Sequence, residues 1–225
     1  MASNNKTDVI ILIGPPGAGK GTQLELLQEK LHLDYIGSGE LLRERKKTED
    51  FTGKKISQCI DKGNRVPTPV IFYLWMGKLE ELSCKETVKG FIIDGSPRTL
   101  YEAEMLDLAL GWYEWDQNVR AIFIKISAKE SIQRLLKRRM CKDCGRIFPY
   151  LGEFRHIEKC DECGGELYAR PDDTVEGVKK RLAWFKTDVM PAVRYFKKRG
   201  LLIEINGEQS VAGVSHDILE AIGQK

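Results

Sequence analysis

The string Gly14-Pro15-Pro16-Gly17-Ala18-Gly19-Lys20-Gly21-Thr22 stands between a short apolar run and a helical pattern. Glycines at this turn let the backbone N–H groups of Gly17, Ala18, Gly19 and Gly21 point inward around phosphate oxygens, and the following helix N-terminus adds favourable partial charge. Lys20 adds a full charge at transferring phosphates. The usual loop has Ser or Thr directly after the lysine. Here Gly21 takes that place and Thr22 follows one step later, still within reach of a phosphate-bound Mg²⁺. A guanine-reading loop protein would carry Asn-Lys-x-Asp after a later strand. Asn5-Lys6-Thr7-Asp8 has that form but precedes the loop, so it is read as chance.

Four of the six cysteines form two Cys-x-x-Cys pairs, Cys141/Cys144 and Cys160/Cys163, each followed by glycine (Gly145, Gly164). This is metal spacing rather than disulfide spacing. Four thiolates suit tetrahedral Zn²⁺ and leave no open position, so a structural, non-catalytic ion is expected; iron also accepts four thiolates. About 30 residues between the flanking segments hold too little core to stand alone, and a metal supplies that stability. His156 lies between the pairs but is superfluous to a filled site. A zinc ribbon that reads nucleic acid is disfavoured by mixed local charge: Asp143, Glu153, Glu158, Asp161 and Glu162 against Lys142, Arg146, Arg155 and Lys159. The paired spacing also disfavours redox-active thiols. Cys59 and Cys84 read as isolated, unpaired thiols.

The elements that must position these groups alternate. Val9 to Ile13, Gly90 to Asp94, Ala121 to Ile126 and Leu201 to Ile205 read as short buried strands. Helical patterns run over Lys20 to Leu31, Leu100 to Leu110, Lys129 to Arg139 and Val178 to Lys198, with Pro191 expected to kink the last or divide it in two. Strands alternating with helices predict an α/β fold: a parallel sheet covered by helices on both faces. Residues 38–67 interrupt it with polar helix, and 140–169 interrupt it with the cysteine knuckle. The chain divides accordingly into core 1–37, insert 38–67, core 68–139, knuckle 140–169 and core 170–225, one folded unit.

The chain has 225 residues, with 36 Lys and Arg against 33 Asp and Glu for a net charge of +3. So small an excess argues against nucleic acid as a partner. No stretch approaches the roughly 18 to 20 apolar residues of a bilayer span. The polar Met1 to Thr7 lacks the apolar centre of a signal peptide. A cytoplasmic protein without membrane contact is expected, with a monomer as the default.

Five further motifs follow the loop in order. They are Gly37-Ser38-Gly39-Glu40-Leu41-Leu42-Arg43, then Asp94-Gly95-Ser96-Pro97-Arg98-Thr99, then Arg134 with Arg138, then Arg170-Pro171-Asp172-Asp173, then Arg181. Together with Gly-Lys-Gly-Thr, they make the chain resemble the adenylate kinase family over nearly its whole length. The resemblance implies a P-loop nucleoside monophosphate kinase transferring a phosphoryl group between ATP and AMP, with Mg²⁺ as cofactor, structural Zn²⁺ and a mobile lid. It assigns Ser38, Arg43, Arg65, Val66, Gly95, Arg98, Glu102, Arg170 and Arg181 to the acceptor. It gathers Lys20, Arg134, Arg138, Arg170 and Arg181 around the transferred group and associates Thr22 and Asp94 with Mg²⁺. Arginine suits that task because its planar, permanently charged fork grips phosphate bidentately. Arg134 and Arg138, four apart, are expected on one helix face, with Arg139 pointing elsewhere.

Three positions depart from the family. Glu102 stands where AMP-specific members usually have Gln, Ser96 replaces a Phe, and Arg65 replaces a Leu that commonly lines the base. An ionised Glu only accepts hydrogen bonds, which suits guanine's two donors better than adenine's mixed edge. GMP, or relaxed acceptor choice, is therefore the alternative to AMP. A catalytically silent nucleotide binder is a further alternative, opposed by retention of Lys20, Asp94 and the arginines.

Overall fold

The computed structural model describes residues 7–62, 64–150, 154 and 156–224. Five strands, β1 (Asp8–Ile13), β2 (Asp34–Gly37), β3 (Gly90–Asp94), β4 (Val119–Lys125) and the later β8 (Leu202–Asn206), form one parallel sheet in the order β2-β3-β1-β4-β8. Alternation along each strand explains its continuous apolar sequence. Val9, Ile11, Ile13, Phe91, Ile93, Ala121 and Phe123 face one core cluster, while Ile10, Leu12, Ile92, Ile122 and Ile124 face another.

The first cluster is closed by α4 (Thr68–Ser83), α5 (Leu100–Trp112) and α8 (Met190–Lys198), the second by α1 (Lys20–Leu31) and α9 (Val211–Ala221). Both faces are thus covered, as the sequence predicts. β1 lies centrally, and the chain leaves it toward β2 on one side and places β4 on the other. The crevice at the carboxyl ends of β1 and β3 is where such a sheet takes ligands.

Residues 38–61 supply α2 (Ser38–Arg45) and α3 (Phe51–Asp61). Between α6 (Ala128–Lys137) and α7 (Val175–Trp184), a three-stranded antiparallel sheet forms from β5 (Arg139–Cys141), β6 (Ile147–Phe148) and β7 (Leu167–Tyr168), in the order β6-β5-β7. Its buried centre is Cys141, Phe148 and Cys160. Among the described residues, no helix is long and apolar enough to cross a membrane.

Of the helical expectations, the division near Pro191 is met and the shared face of Arg134 and Arg138 needs correction. The pattern from Val178 to Lys198 is divided: α7 passes into a π turn, Phe185–Val189, and α8 begins at Met190 with Pro191 in its first turn. Proline has no N–H to donate and fits that first turn. The pattern from Lys129 to Arg139 ends at Lys137, because Arg138 leaves the helix with φ −59° and ψ 143°. Arg134 and Arg138 therefore do not share a helix face. β2, α4 and α9 complete the sheet and its cover without being singled out by the sequence pattern.

Candidate active site

The phosphate loop joins β1 to α1. Gly17 and Gly19 adopt φ of +81° and +89°, a region side chains disfavour, and this turns the loop back around the α1 N-terminus. The Lys20 ammonium crosses its own loop to donate to the Gly14 carbonyl at 2.8 Å and the Pro15 carbonyl at 3.3 Å. Burial lowers its pKa, opposed by the negative charge of Asp94. Gly17, Ala18, Gly19, Lys20, Gly21 and Thr22 all line a cavity of about 790 Å³, with Asp94, Arg134 and Arg138 on its walls.

A second cavity of about 450 Å³ takes in Arg65, Val66, Gly95 and Trp184, and a third of about 200 Å³ takes in Ser38, Thr68 and Glu102. Lys20, Arg98, Arg170 and Arg181 line both the first and the second. Four cations thus stand at one boundary between two spaces.

Carboxylates hold Arg170 and Arg181, and backbone carbonyls hold Lys20 and Arg98. Arg138 donates Nε and Nη2 to Asp173 at 2.8 and 2.9 Å, and Arg181 donates to the same carboxylate at 2.6 Å. Arg170 grips Asp172 at 2.9 and 3.0 Å. Arg134, buried on α6, donates to Glu130 at 2.7 Å and to the Gly207 carbonyl at 2.8 Å. Arg98 donates Nε to the Gly95 carbonyl at 2.6 Å, and its burial lowers its pKa. Arg139 turns back to the carbonyls of Leu136 and Arg138. In the sequence, Asp172 and Asp173 stand out only as part of a motif. An acidic pair set between Arg170 and Arg181 is the signal that they brace cations.

The remaining acceptor candidates divide. Ser38 is buried, sharing a hydrogen bond of 2.5 Å with Ser96 and accepting one of 3.1 Å from the Trp75 indole. Arg43 is exposed on α2 and lines none of these three cavities. Glu102 is buried on the first turn of α5. Its carboxylate accepts from the Arg98 backbone N–H at 2.6 Å and the Thr68 hydroxyl at 3.1 Å, while its own N–H is capped by Thr99. Thr68 is a wall residue that sequence reading missed.

One oxygen of Asp94, Oδ1, is buried without a hydrogen-bond partner among the described residues, at the cavity that holds Thr22 and Lys20. A hydrated Mg²⁺ would satisfy such an orphan. The sulfurs of Cys141, Cys144, Cys160 and Cys163 all lie within 4.8 Å of one another, with separations of 3.4 Å (Cys141 to Cys163) and 3.5 Å (Cys144 to Cys160). Tetrahedral Zn–S bonds of about 2.3 Å place sulfurs about 3.8 Å apart, so the set fits zinc. Gly145 and Gly164, at φ +74° and +72°, close the two turns with N–H bonds to the Cys141 and Cys160 carbonyls. The Cys144 backbone N–H draws the Cys141 thiol down, while burial and hydrogen bonds among the crowded sulfurs hold those of Cys144 and Cys163 up. His156 is exposed, and Cys59 and Cys84 are unpaired.

Asp8, part of the guanine-like string, pairs with Arg120 at the opposite end of β1 from the loop, while Asn5 and Lys6 lie outside the described residues. Of the knuckle charges, Glu153 and Arg155 lie outside them too.

The family model described as Adenylate kinase matches residues 12–201. The adenylate kinase of Caldicellulosiruptor bescii is 38% identical over 218 residues, covering 95% of this chain and 98% of that protein. That of Archaeoglobus fulgidus is also 38% identical, covering 96% and 98%. That of Methanocella arvoryzae is 39% identical over 216 residues, covering 94% and 97%. The match spans the phosphate loop, the cation boundary and the cysteine knuckle alike, and the chain belongs to the adenylate kinase family.

Proposed function

We propose that the protein catalyses reversible, Mg²⁺-dependent phosphoryl transfer from ATP to AMP, giving two ADP. The observation that carries this reading is the boundary between two cavities, lined from both sides by Lys20, Arg98, Arg170 and Arg181. A transferring phosphoryl group spreads charge over its equatorial oxygens, and fixed cations stabilise that charge without reorganising.

In this reading the triphosphate lies on Gly17 to Thr22, with Arg134 and Arg138 beside it. The monophosphate enters the second cavity, its phosphate toward Arg98, Arg170 and Arg181 and its base toward Val66, Gly95 and Glu102. Ser38 and Arg43 come from the insert 38–67, which folds over the acceptor. Thr22 and, through water, Asp94 would hold Mg²⁺, which supplies charge neutralisation at the donor phosphates. Segment 140–169 is the lid: its closure brings Arg138 and Arg170 to the phosphates and excludes water, which would otherwise turn transfer into hydrolysis. The four cysteines would hold Zn²⁺ as a structural ion there.

A second reading, with GMP as acceptor, is favoured by one observation. Glu102 spends the Thr68 proton on its own carboxylate, so both side chains offer only acceptor lone pairs to a base. The deciding experiment supplies Mg-ATP with AMP, GMP, CMP or UMP and separates the diphosphates by chromatography. ADP formation fastest with AMP supports the first reading. Faster turnover with GMP reassigns the acceptor, and no turnover with any of them leaves a nucleotide-binding protein without catalysis.

A further inference from the structure

Arg65 lies in the extended stretch between α3 and α4, on a wall common to the second and third cavities. Its guanidinium donates to Asp188 Oδ2 at 2.6 Å, across 123 positions of sequence, and sits 5.3 Å from the centroid of Trp184. Both partners belong to the end of α7 and the π turn after it. Trp184 shares the wall of the second cavity with Arg181, whereas Asp188 stands behind Arg65 and lines neither cavity. The second oxygen of Asp188 lies 2.7 Å from the Thr187 hydroxyl, whose one proton is shared between it and the Ala183 carbonyl at 3.1 Å.

The chemistry of this arrangement is that of a plate. A free arginine side chain samples many rotamers and would sweep the acceptor space. Pinned by a carboxylate and laid near an indole, it presents one flat cationic face, on which an aromatic base stacks. The loss of rotamer freedom then precedes acceptor binding instead of accompanying it. Purines, with the larger ring system, gain more from such a face than pyrimidines do.

We propose that Asp188 and Trp184 are positioning residues for the acceptor: they hold Arg65 as a fixed wall for the base of a purine nucleoside monophosphate. This rests on assigning the second cavity to the acceptor. The Arg65 and Asp188 side chains are each about a third exposed, 32% and 35%, so the effect is moderate rather than large.

The test is steady-state kinetics of the full-length protein with its best purine monophosphate. Asp188→Asn is expected to raise acceptor KM by about 5- to 10-fold, with kcat within about twofold and ATP KM unchanged. Asp188→Glu should restore most of the loss, and Trp184→Ala should reproduce it while Trp184→Phe does not. In an Arg65→Leu background, Asp188→Asn should add nothing. If Asp188→Asn shifts only the melting temperature, or raises KM equally without Arg65, the positioning role is wrong. Arg98→Lys serves as the reference. Should it raise acceptor KM while Asp188→Asn does not, the positioning role alone fails. Should neither move it, the acceptor assignment itself is at fault.

Discussion

Arg138 donates two near-parallel hydrogen bonds to Asp173 across 35 positions of sequence, and these bonds bridge the two ends of the knuckle segment. The Asp173 side chain is 1% exposed and also receives Arg181. A single buried anion thus sets the spacing of two cations that a triphosphate would otherwise push apart or draw together. Asp173→Asn replaces one acceptor oxygen with a donor facing a guanidinium. The expected result is a fall in kcat of about 10²-fold, the usual loss when one charge-stabilising group is misplaced. A lower melting temperature should accompany it, because a buried partner is left unpaired. Wild-type kcat in this variant would show that the arginines find their places without the brace.

How much of this site is legible in the sequence depends on how local its determinants are. β1, the glycine turn and Lys20 can be read because strand, loop and helix follow one another without interruption from Asp8 to Leu31. The four cysteines can be read because two Cys-x-x-Cys turns are local and the ligand chemistry is closed. Arg138 is misplaced by the pattern because its neighbours continue a helical period, while the bond that draws it off α6 comes from Asp173. Arg65 is legible only as a departure, since Asp188 and Trp184 lie more than a hundred positions away. β2 escapes because it is four residues long, Asp34–Gly37, and gains its identity from pairing with β3. Glu102 is recognisable as a wall residue, but its bonds to the Arg98 N–H and Thr68 require the turn between β3 and α5 to be folded.

Metal removal should separate the knuckle from the sheet. The knuckle's buried centre is Cys141, Phe148 and Cys160, so two of its three members belong to the four-cysteine set that would hold the metal. One zinc per chain is expected by elemental analysis. Chelation should lower activity and open the first proteolytic cuts between residues 139 and 170, while the far-ultraviolet circular dichroism of the main sheet persists. Cys160→Ser should behave as the chelated protein does. An intact proteolytic pattern after complete metal loss would mean that the small apolar cluster holds the knuckle by itself.

Asp50 caps α3 by accepting the Gly53 N–H at 2.8 Å and takes Arg45 in two bonds of 2.9 and 2.7 Å. The Arg45 hydrogen bond, then the Gly53 N–H, depresses its carboxyl from 3.8 to about 2. A depressed carboxyl stabilises the fold above its unfolded value and loses that contribution as pH falls through the folded one. Asp50→Asn should therefore lower the melting temperature only slightly at neutral pH, because asparagine still caps α3 and only an exposed ion pair is lost. The gap should shrink between roughly pH 4 and pH 2 and vanish below. A gap that stays constant down to pH 2 would assign the effect to the cap geometry and not to the charge.

Glu102 offers the sharpest test of acceptor choice, because its two partners dictate how a glutamine would sit. The Arg98 N–H requires an acceptor, so the amide oxygen of Glu102→Gln must turn to it. The amide nitrogen then faces Thr68, whose hydroxyl oxygen accepts and whose proton is released. A donor replaces an acceptor on the wall of the third cavity, which matches the N1 of adenine and opposes the N1–H of guanine. The ratio of kcat/KM for AMP over GMP should rise by about 10-fold, the change expected when one base-edge hydrogen bond is matched for adenine and mismatched for guanine. Kinetics with both acceptors at fixed Mg-ATP measure it. A ratio unmoved by the substitution would take base selection away from Glu102 and leave it as the cap that ties α5 to the Arg98 turn.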